Sequence, residues 1–235
     1  AQTIIQHMRQ HNIGIDGMRE LNERRGGKHI GRNREMLQPV EPLYNAYVGN
    51  FRATQGIDFP GMITDAIRCV RRGAYRHPYK YVLIDEYQDM SRPRYELIRA
   101  LREQSDFTLF CVGDDWQSIY RFAGSDIHLI LDFADIWRDW GPTRMFQITT
   151  TRRFRQSLID ASGAFVMQDK SLYAKQLRNP SDKKDYSLKA LGGATQEERF
   201  DAIVEQLRKL PKAASVLMLG RYRSDLNLLS RNDRD

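Results

Sequence analysis

The sequence predicts an α/β fold, in which helices flank a parallel sheet and a mainly helical segment comes first. Two short apolar runs, Tyr81–Ile84 and Phe107–Val112, have the length and composition of strands buried in parallel sheets. The stretch between them, Arg94–Glu103, has helical periodicity, so the three segments make a βαβ unit. A hydrophobic content of 41% is ordinary for a globular protein, and 235 residues suffice for one or two domains with cores.

Residues 1–79 are predicted to be helical, with a glycine-rich break at residues 26–31. We expect the break itself to form a flexible basic loop, because glycine leaves the backbone free and Lys28 and two arginines surround it. Three stretches beyond it carry helical signals. Leu37–Phe51 has Pro39 and Pro42 near its predicted start, and Gly56–Asp65 contains a helix start with a candidate cap. Met62–Val70 has apolar residues at helical intervals.

The part after the second strand is predicted to continue with strands and helices. A turn at Gly141-Pro142 separates it from the preceding part. Its predicted segments are a strand at Met145–Ile148, a helix at Gln156–Met167, a polar loop at Asn179–Asp185, an amphipathic helix at Glu197–Leu210 and a strand at Val216–Leu219.

Carboxylates follow both apolar runs, at the points where the strands are expected to end. Asp85 and Glu86 come directly after the first run, and Asp114 and Asp115 follow the second run after one glycine. Ligands of open α/β sheets bind beyond the carboxyl ends of the strands. In nucleoside triphosphatases the first such acid holds Mg²⁺, and a nearby acid or glutamine orients the attacking water. Asp85 and Glu86 fit these two roles, although an acidic turn without chemistry has the same composition.

The second pair of acids continues into a polar and aromatic segment, Trp116–Asp126. Gln117 carries an amide that can donate a hydrogen bond to a phosphate. Trp116, Tyr120 and Phe122 offer flat faces, and aromatic faces stack on unpaired bases. Such a combination of polar and aromatic side chains is uncommon after a strand of an ordinary βαβ unit.

These residues resemble the UvrD/Rep group of superfamily 1 DNA helicases. DEYQD, from Asp85 to Asp89, is similar to the family's motif II, and GDDWQSIYRFAG, from Gly113 to Gly124, is similar to its motif III. The variant with Trp116, and with YRF followed by a small residue, resembles the helicase IV branch of the family.

The resemblance assigns roles to residues of both motifs. It implies that Asp85 holds Mg²⁺, that Glu86 activates water, and that Gln117 links the γ-phosphate of ATP to the DNA track. Ala123 stands where the family usually has an arginine, so that contact is lost. The DNA-contacting aromatic residues of this segment are expected to be Trp116, Tyr120 and Phe122.

Thr149–Ser157, which reads TTTRRFRQS, is similar to the family's motif IV. The resemblance places Arg153 at the γ-phosphate, where an arginine neutralises charge on the transferring phosphoryl group. Arg152 stands where the family usually has a tyrosine that stacks on adenine. A guanidinium plane also stacks on a base, so base contact is expected while specificity for adenine is in question. From the residues alone, Arg153 equally fits a solvated arginine at a helix start.

The resemblance also implies the architecture of RecA-like P-loop NTPase motor lobes with a helical insertion subdomain. Residues 1–79 would be the C-terminal part of the helical subdomain, 80–146 the C-terminal part of the first lobe, and 147–235 the start of the second lobe. It implies an ATP-dependent DNA helicase that uses ATP and Mg²⁺, acts on single-stranded and duplex DNA in DNA repair, and moves 3′ to 5′. Gly56–Asp65 and Ser215–Arg223 resemble family segments more loosely.

Several family motifs have no counterpart in the sequence. The phosphate cradle G-x-x-x-x-G-K-[ST] surrounds phosphates with backbone amides and one lysine, and no such string occurs. Motifs V and VI of the family, which would follow Asp235, are also missing. We therefore expect the chain to be an internal piece of a longer protein and to hydrolyse ATP poorly in isolation.

Positive charge concentrates in the first part of the chain. Residues 1–84 contain 13 Lys/Arg against 7 Asp/Glu, a net of +6 out of the total +7. Such a region fits a groove for the phosphate backbone of DNA, although a solubilising surface has the same composition. The candidate DNA contacts form two clusters, Arg24, Arg25, Lys28, Arg32 and Arg34 in one, and Arg68, Arg71, Arg72 and Arg76 in the other.

Cysteine usage and hydropathy favour a cytoplasmic protein. Cys69 and Cys111 lie far apart in sequence and are expected to be reduced, buried thiols. No run of 18 apolar residues predicts a membrane span. With the helicase resemblance, we expect a protein associated with the bacterial nucleoid. Two other functions stay open: a non-motor interaction module, for example one that remodels RNA polymerase, and a helicase fused to a nuclease.

Overall fold

A computed structural model describes residues 2–181, 189–220 and 222. The chain divides into two compact units. The first unit comprises Ala1–Thr149 and Gly163–Gln176, and the second comprises Thr150–Ser162 and Leu177–Asp235. The segment Gly163–Gln176 therefore belongs to the first unit although its neighbours on both sides in sequence belong to the second.

The first unit begins with the helical region that the sequence predicts. Its small core contains Ile5, Met8, Ile15 and Val40, which are all buried. Asp58 caps the last helix by accepting a hydrogen bond from the Gly61 amide, which confirms the predicted cap. The helices are α1 (Gln2–Gln10), α2 (Ile15–Arg25), α3 (Ile30–Thr54) and α4 (Phe59–Arg71), with a short 3₁₀ helix at Gly27–His29.

The glycine-rich break is shorter than predicted, because α3 already begins at Ile30. Pro39 and Pro42 lie inside this helix rather than at its start. Each proline lacks an N–H, so the carbonyl four residues earlier loses its helical partner. The long helix forms despite this loss because its apolar side packs on the core through Val40.

The predicted βαβ unit is confirmed. Strands β1 (Tyr81–Ile84) and β2 (Thr108–Cys111) pair in parallel, with Tyr81 opposite Thr108, and α5 (Arg92–Gln104) connects them. One face of this sheet packs against a core of buried aromatic and aliphatic side chains, through Ile84, Leu109 and Cys111. In that core the Trp137 indole N–H donates to the Tyr87 hydroxyl at 3.0 Å. Two short helices, α6 (His128–Leu131) and α7 (Phe133–Ile136), flank the core.

The prediction that both strands are buried is wrong for one face of the sheet. Leu83 is 72% exposed and Phe110 is 57% exposed. These residues alternate along the strands with those that face the core, as the two-residue period of a strand requires. Within the described residues, helices cover the sheet only on the core side.

Two helices after residue 150 match the predictions, and two strands do not. The helices α8 (Gln156–Val166) and α9 (Gln196–Arg208) lie where expected, and Thr195 and Glu198 form a capping box at the start of α9. Met145–Ile148 and Val216–Leu219 form no strand. In the described part of this region the strand-like pairing is one parallel bridge between Thr150 and Arg178.

The failure of these two strand predictions has a simple physical cause. An apolar run becomes a strand when a neighbouring strand pairs with its backbone N–H and C=O groups, and here no described residue supplies such a partner. Part of the predicted loop Asn179–Asp185, and residues 221 and 223 of Ser215–Arg223, lie outside the described residues.

Both cysteines are free thiols, but they differ in burial. Cys111 is half-buried in β2, and burial raises the pKa of its thiol to about 12. Cys69 is exposed on α4, which corrects the prediction that both thiols are buried. Among the described helices, none joins enough length with enough apolar character to cross a bilayer.

Candidate functional site

Two loops leave the carboxyl ends of β1 and β2 side by side. The first loop, residues 85–90, begins with Asp85 and Glu86, and both side chains are exposed. The second loop, residues 112–127, begins with Val112, whose carbonyl accepts a hydrogen bond from the Tyr87 amide at 2.9 Å. The parallel sheet thus brings together the two loops that carry the acids of the two motifs.

Glu86 has an unusual backbone conformation. Its φ of 51° lies in the left-handed region, which costs a residue other than glycine about 1–3 kcal/mol. Its amide donates to Asp85 Oδ1 at 2.9 Å, and its Oε2 accepts from Gln88 Nε2 at 2.7 Å. The surrounding contacts therefore hold both the backbone and the carboxylate of Glu86 in one orientation.

Gln88 connects the two loops. It is 2% exposed, and its Oε1 accepts from the Asp114 amide at 2.9 Å while its Nε2 binds Glu86. A Cβ atom at Gly113 would lie 2.9 Å from Gln88 Oε1, so only glycine allows this approach. The sequence places Gln88 within a motif but gives no sign of this bridging contact.

Asp114 is the centre of a hydrogen-bond network in the second loop. Its Oδ2 accepts from Gln117 Nε2 at 2.7 Å, and its Oδ1 accepts from the Trp116 amide at 3.2 Å and from the Lys175 ammonium. Burial by itself would raise the pKa of Asp114, but the hydrogen bonds from Lys175 and Gln117 outweigh it and hold that pKa below its usual range. Gln117 is thereby attached to a charged, ordered carboxylate.

Lys175 also binds Asp115, whose side chain is 1% exposed. Asp115 Oδ2 accepts in addition from the Tyr173 amide at 2.8 Å. Sequence reasoning missed Lys175, because it lies outside every motif and 60 residues from Asp115.

Trp116 is half-buried under the segment 163–176. Its indole N–H donates to the Tyr173 carbonyl at 3.0 Å, and the Lys175 ammonium lies 5.1 Å from the centre of its ring. A Cβ atom at Gly163 would be 3.7 Å from the ring, which is ordinary packing distance. One face of Trp116 is therefore occupied within the first unit, and its contact with DNA stays a prediction.

Tyr120 and Phe122 lie in the same loop and face solvent. Tyr120 is 46% exposed and Phe122 is 79% exposed, with their ring centres 5.9 Å apart. Neither ring belongs to a core cluster of the described residues, so neither stabilises the fold from its interior. Their exposed faces are available for stacking.

The basic candidates differ in how their charges are compensated. Arg24 pairs with Glu20 at 2.5 Å, and Arg71 lies 3.4 Å from Glu96 and 3.8 Å from Glu103. Arg71 thus joins α4 to α5, which is a structural role. Arg34 and Arg68 likewise pair with acids, and the exposed candidates Arg25, Lys28, Arg32, Arg72 and Arg76 complete the two clusters.

Arg152 and Arg153 belong to the second unit. Both are exposed just before α8, and the Arg153 amide donates to Thr151 Oγ1 at 3.3 Å. This local turn starts the chain towards α8 and leaves both guanidinium groups on the surface of their unit.

Comparison with known proteins identifies the family. A family model described as the UvrD/REP helicase N-terminal domain matches residues 7–136, which is more than half of the chain. The chain belongs to this family. The matched region contains Asp85, Glu86 and the whole second loop, and it ends before Arg152 and Arg153.

Individual relatives agree with the UvrD/REP assignment. DNA helicase IV of Escherichia coli is 35% identical over 79% of this chain and 26% of its own length. ATP-dependent DNA helicase UvrD1 of Mycobacterium tuberculosis is 30% identical over 61% of this chain and 20% of its own length. ATP-dependent DNA helicase PcrA of Bacillus subtilis is 29% identical over 62% and 20%, respectively. The matches therefore cover between a fifth and about a quarter of the length of these relatives, and the predicted resemblance is confirmed.

The residues after β1 suit the magnesium ion that a UvrD-type nucleotide site implies. Mg²⁺ in such sites is usually bound through one or two carboxylates together with substrate phosphates and water. The Asp85 carboxylate is exposed, and within the described residues its one hydrogen bond comes from the Glu86 amide to Oδ1. Oδ2 of this exposed residue therefore has no hydrogen-bond partner among the described residues, and a carboxylate oxygen at the carboxyl end of the strand fits the ion.

Proposed function

We propose that this chain forms part of the motor of an ATP-dependent DNA helicase of the UvrD type, built from RecA-like lobes. One observation carries the proposal. Hydrogen bonds through Gln88 and Asp114 join Glu86 to Gln117, and the exposed rings of Tyr120 and Phe122 follow in the same loop. Groups suited to ATP hydrolysis and groups suited to DNA binding are thus parts of one connected structure.

The chemistry follows from the protein groups around the expected phosphates. When bound, Mg²⁺ would be held by Asp85 and would neutralise phosphate charge. Glu86 accepts a proton from the attacking water, and Gln88 keeps its carboxylate oriented for that transfer. Gln117 donates an amide hydrogen to the γ-phosphate. Arg153 supplies positive charge to the transferring phosphoryl group, as arginine fingers do.

DNA binding is assigned to the exposed part of the second loop and to basic side chains. Tyr120 and Phe122 stack on successive unpaired bases, and such stacking is independent of sequence because every base has a flat face. Gln117 and Tyr120 are three residues apart, so a shift of the γ-phosphate contact displaces the stacking ring. The proposed phosphate contacts are Arg25, Lys28 and Arg72, with Arg24 and Arg71 in addition if their acidic partners release them.

Further assignments complete the proposal. Arg152 stacks on the base of ATP. Residues 1–79 belong to the helical subdomain, 80–146 to the first lobe and 147–235 to the second lobe. Movement is 3′ to 5′, and the protein acts on DNA in the bacterial cytoplasm during repair.

The decisive experiment measures ATP hydrolysis by the intact protein with and without single-stranded DNA. We expect DNA to stimulate hydrolysis, and we expect unwinding of a duplex with a 3′ tail but not of one with a 5′ tail. Asp85→Asn should weaken Mg²⁺-dependent nucleotide binding, because the metal loses a charged ligand. Hydrolysis that is absent in the presence of DNA would refute the motor assignment and favour an interaction module.

A further inference from the structure

Lys175 is a charged residue that no step above uses. Its ammonium lies between Asp114 and Asp115, and only 16% of its side chain is exposed. A carboxylate as deeply buried as Asp115 needs a charged or hydrogen-bonding partner, because burying an isolated charge is very costly. Pairing with Asp115 alone would meet that need, so the additional contact with Asp114 calls for its own explanation.

The contact with Asp114 controls a carboxylate that has two different partners. Oδ1 accepts from Lys175, and Oδ2 accepts from Gln117 Nε2 at 2.7 Å. Binding of the ammonium at Oδ1 limits rotation of the carboxylate, and therefore keeps Oδ2 directed at Gln117. Without Lys175, the Trp116 amide at 3.2 Å is the one remaining described donor to Oδ1.

The direction of the Gln117 amide matters for its chemistry. A phosphate oxygen is a hydrogen-bond acceptor, so Gln117 must present its N–H₂ group and not its carbonyl. Asp114 accepts one of the two amide hydrogens and so selects this orientation. The second hydrogen on the same nitrogen remains for the γ-phosphate.

Lys175 itself is well anchored. Tyr173, two residues earlier, donates through its hydroxyl to the carbonyl of Leu131 at 2.6 Å and through its amide to Asp115 at 2.8 Å. The Trp116 ring lies against the ammonium. A segment held by these hydrogen bonds therefore carries the charge that orients Asp114.

We propose that Lys175 is a positioning residue for ATP hydrolysis, which holds Asp114 so that Gln117 presents an amide hydrogen to the γ-phosphate. This inference rests on the proposed function, since it requires Gln117 to act on ATP. The proposed role is indirect, because the contacts of Lys175 are with Asp114, Asp115 and the Trp116 ring.

A double-mutant cycle in the intact protein tests the proposal. ATP hydrolysis stimulated by single-stranded DNA is measured for the parent, Gln117→Ala, Lys175→Met and the double variant. We expect Gln117→Ala to lower kcat about tenfold or more, as loss of a transition-state donor does, and Lys175→Met to lower it about threefold to tenfold. The double variant should lie within about twofold of Gln117→Ala, because independent effects would multiply.

The cycle separates positioning from simple stabilisation. A purely structural lysine would lower the amount of active protein whether or not Gln117 is present, so the losses would multiply and would overturn the proposal. A Lys175→Met protein as active as the parent would overturn it as well. If Lys175→Met does not fold, the same cycle with Lys175→Arg decides, because arginine keeps the charge beside Asp115 but not the compact ammonium geometry.

The control variant is Lys170→Met, which removes an exposed lysine from the same segment and should leave hydrolysis unchanged. The outcome for Gln117→Ala distinguishes the two levels of inference. Unchanged hydrolysis in Gln117→Ala would refute the proposed role of Gln117 and the role of Lys175 with it. A loss in Gln117→Ala that multiplies with the loss in Lys175→Met would refute the role of Lys175 alone.

Discussion

Gln88→Leu tests the bridge between the two loops. Leucine keeps most of the volume of the side chain and removes both of its hydrogen bonds. The bond to the partly solvated Glu86 carboxylate contributes about 1.5 kcal/mol, the lower end of the range for charged partners. The Asp114 amide is left without its partner at an additional cost of about 1–3 kcal/mol. We therefore expect the free energy of unfolding to fall by about 3 kcal/mol.

The same variant should impair catalysis beyond its effect on stability. Glu86 loses the donor that orients its carboxylate, and displacement of a catalytic group by about 1 Å can cost a factor of 10² in rate. We expect kcat for DNA-stimulated ATP hydrolysis to fall by about 10- to 100-fold. Urea denaturation and steady-state kinetics on the same preparations measure the two effects.

A matched control comes from a second bridging glutamine in the first unit. Gln104 donates to the carbonyls of Val70 and Tyr75 and accepts from the His77 amide. It lies at the end of α5, near the start of β2, whereas the acids follow the carboxyl ends of the two strands. Gln104→Leu should lower stability by a similar amount while kcat of the folded protein stays near that of the parent. Equal kinetic losses in both variants would show that Gln88 acts through stability alone and would refute the positioning argument.

Three further predictions concern the site and its charges. Glu86→Gln keeps shape but loses the proton acceptor, so ATP should still bind while hydrolysis falls by about 10² or more; unchanged turnover would exclude Glu86 as the base. Tyr120→Ala and Phe122→Ala should each weaken single-strand binding by about 1–3 kcal/mol with little dependence on base sequence, and folded variants that bind DNA like the parent would contradict stacking. Asp114→Asn should destabilise the protein at pH values above the ordinary pKa of aspartate, and the destabilisation should become smaller as the pH falls below that value. The reason is that the pKa of Asp114 is lowered in the folded state, so the stabilisation by its carboxylate is lost when the carboxylate is protonated. Thermal melts of the parent and the variant from pH 3 to pH 8 measure the difference.

Local features of the fold were accessible from the sequence. The two strands, the helix between them and the cap of α4 follow from patterns within about ten neighbouring residues, because periodicity and capping depend on adjacent side chains. The acids at the strand ends were found for the same reason, since Asp85 follows one apolar run directly and Asp114 follows the other after a single glycine.

Features that depend on distant partners were not accessible in this way. Met145–Ile148 has the composition of a strand, yet strand formation depends on a neighbour that pairs with its backbone. Which face of the sheet is buried could not be predicted for the same reason. Apolar content shows which residues can be covered, but the covering elements come from distant parts of the chain. Cys69 is an example at the level of one side chain. It is exposed on α4, although cysteine is usually buried.

The sequence by itself determined the family and the residues that carry its two motifs, because these are short strings with specific chemistry at fixed spacing. Only the tertiary structure showed how those residues are held. Gln88 accepts from the Asp114 amide across 26 residues, and Lys175 reaches Asp114 across 61 residues. Such contacts have no local signature, since any buried glutamine or lysine looks the same in sequence. The folded chain decides which carboxylate each of them meets, and through that contact the orientation of the groups expected to act on ATP.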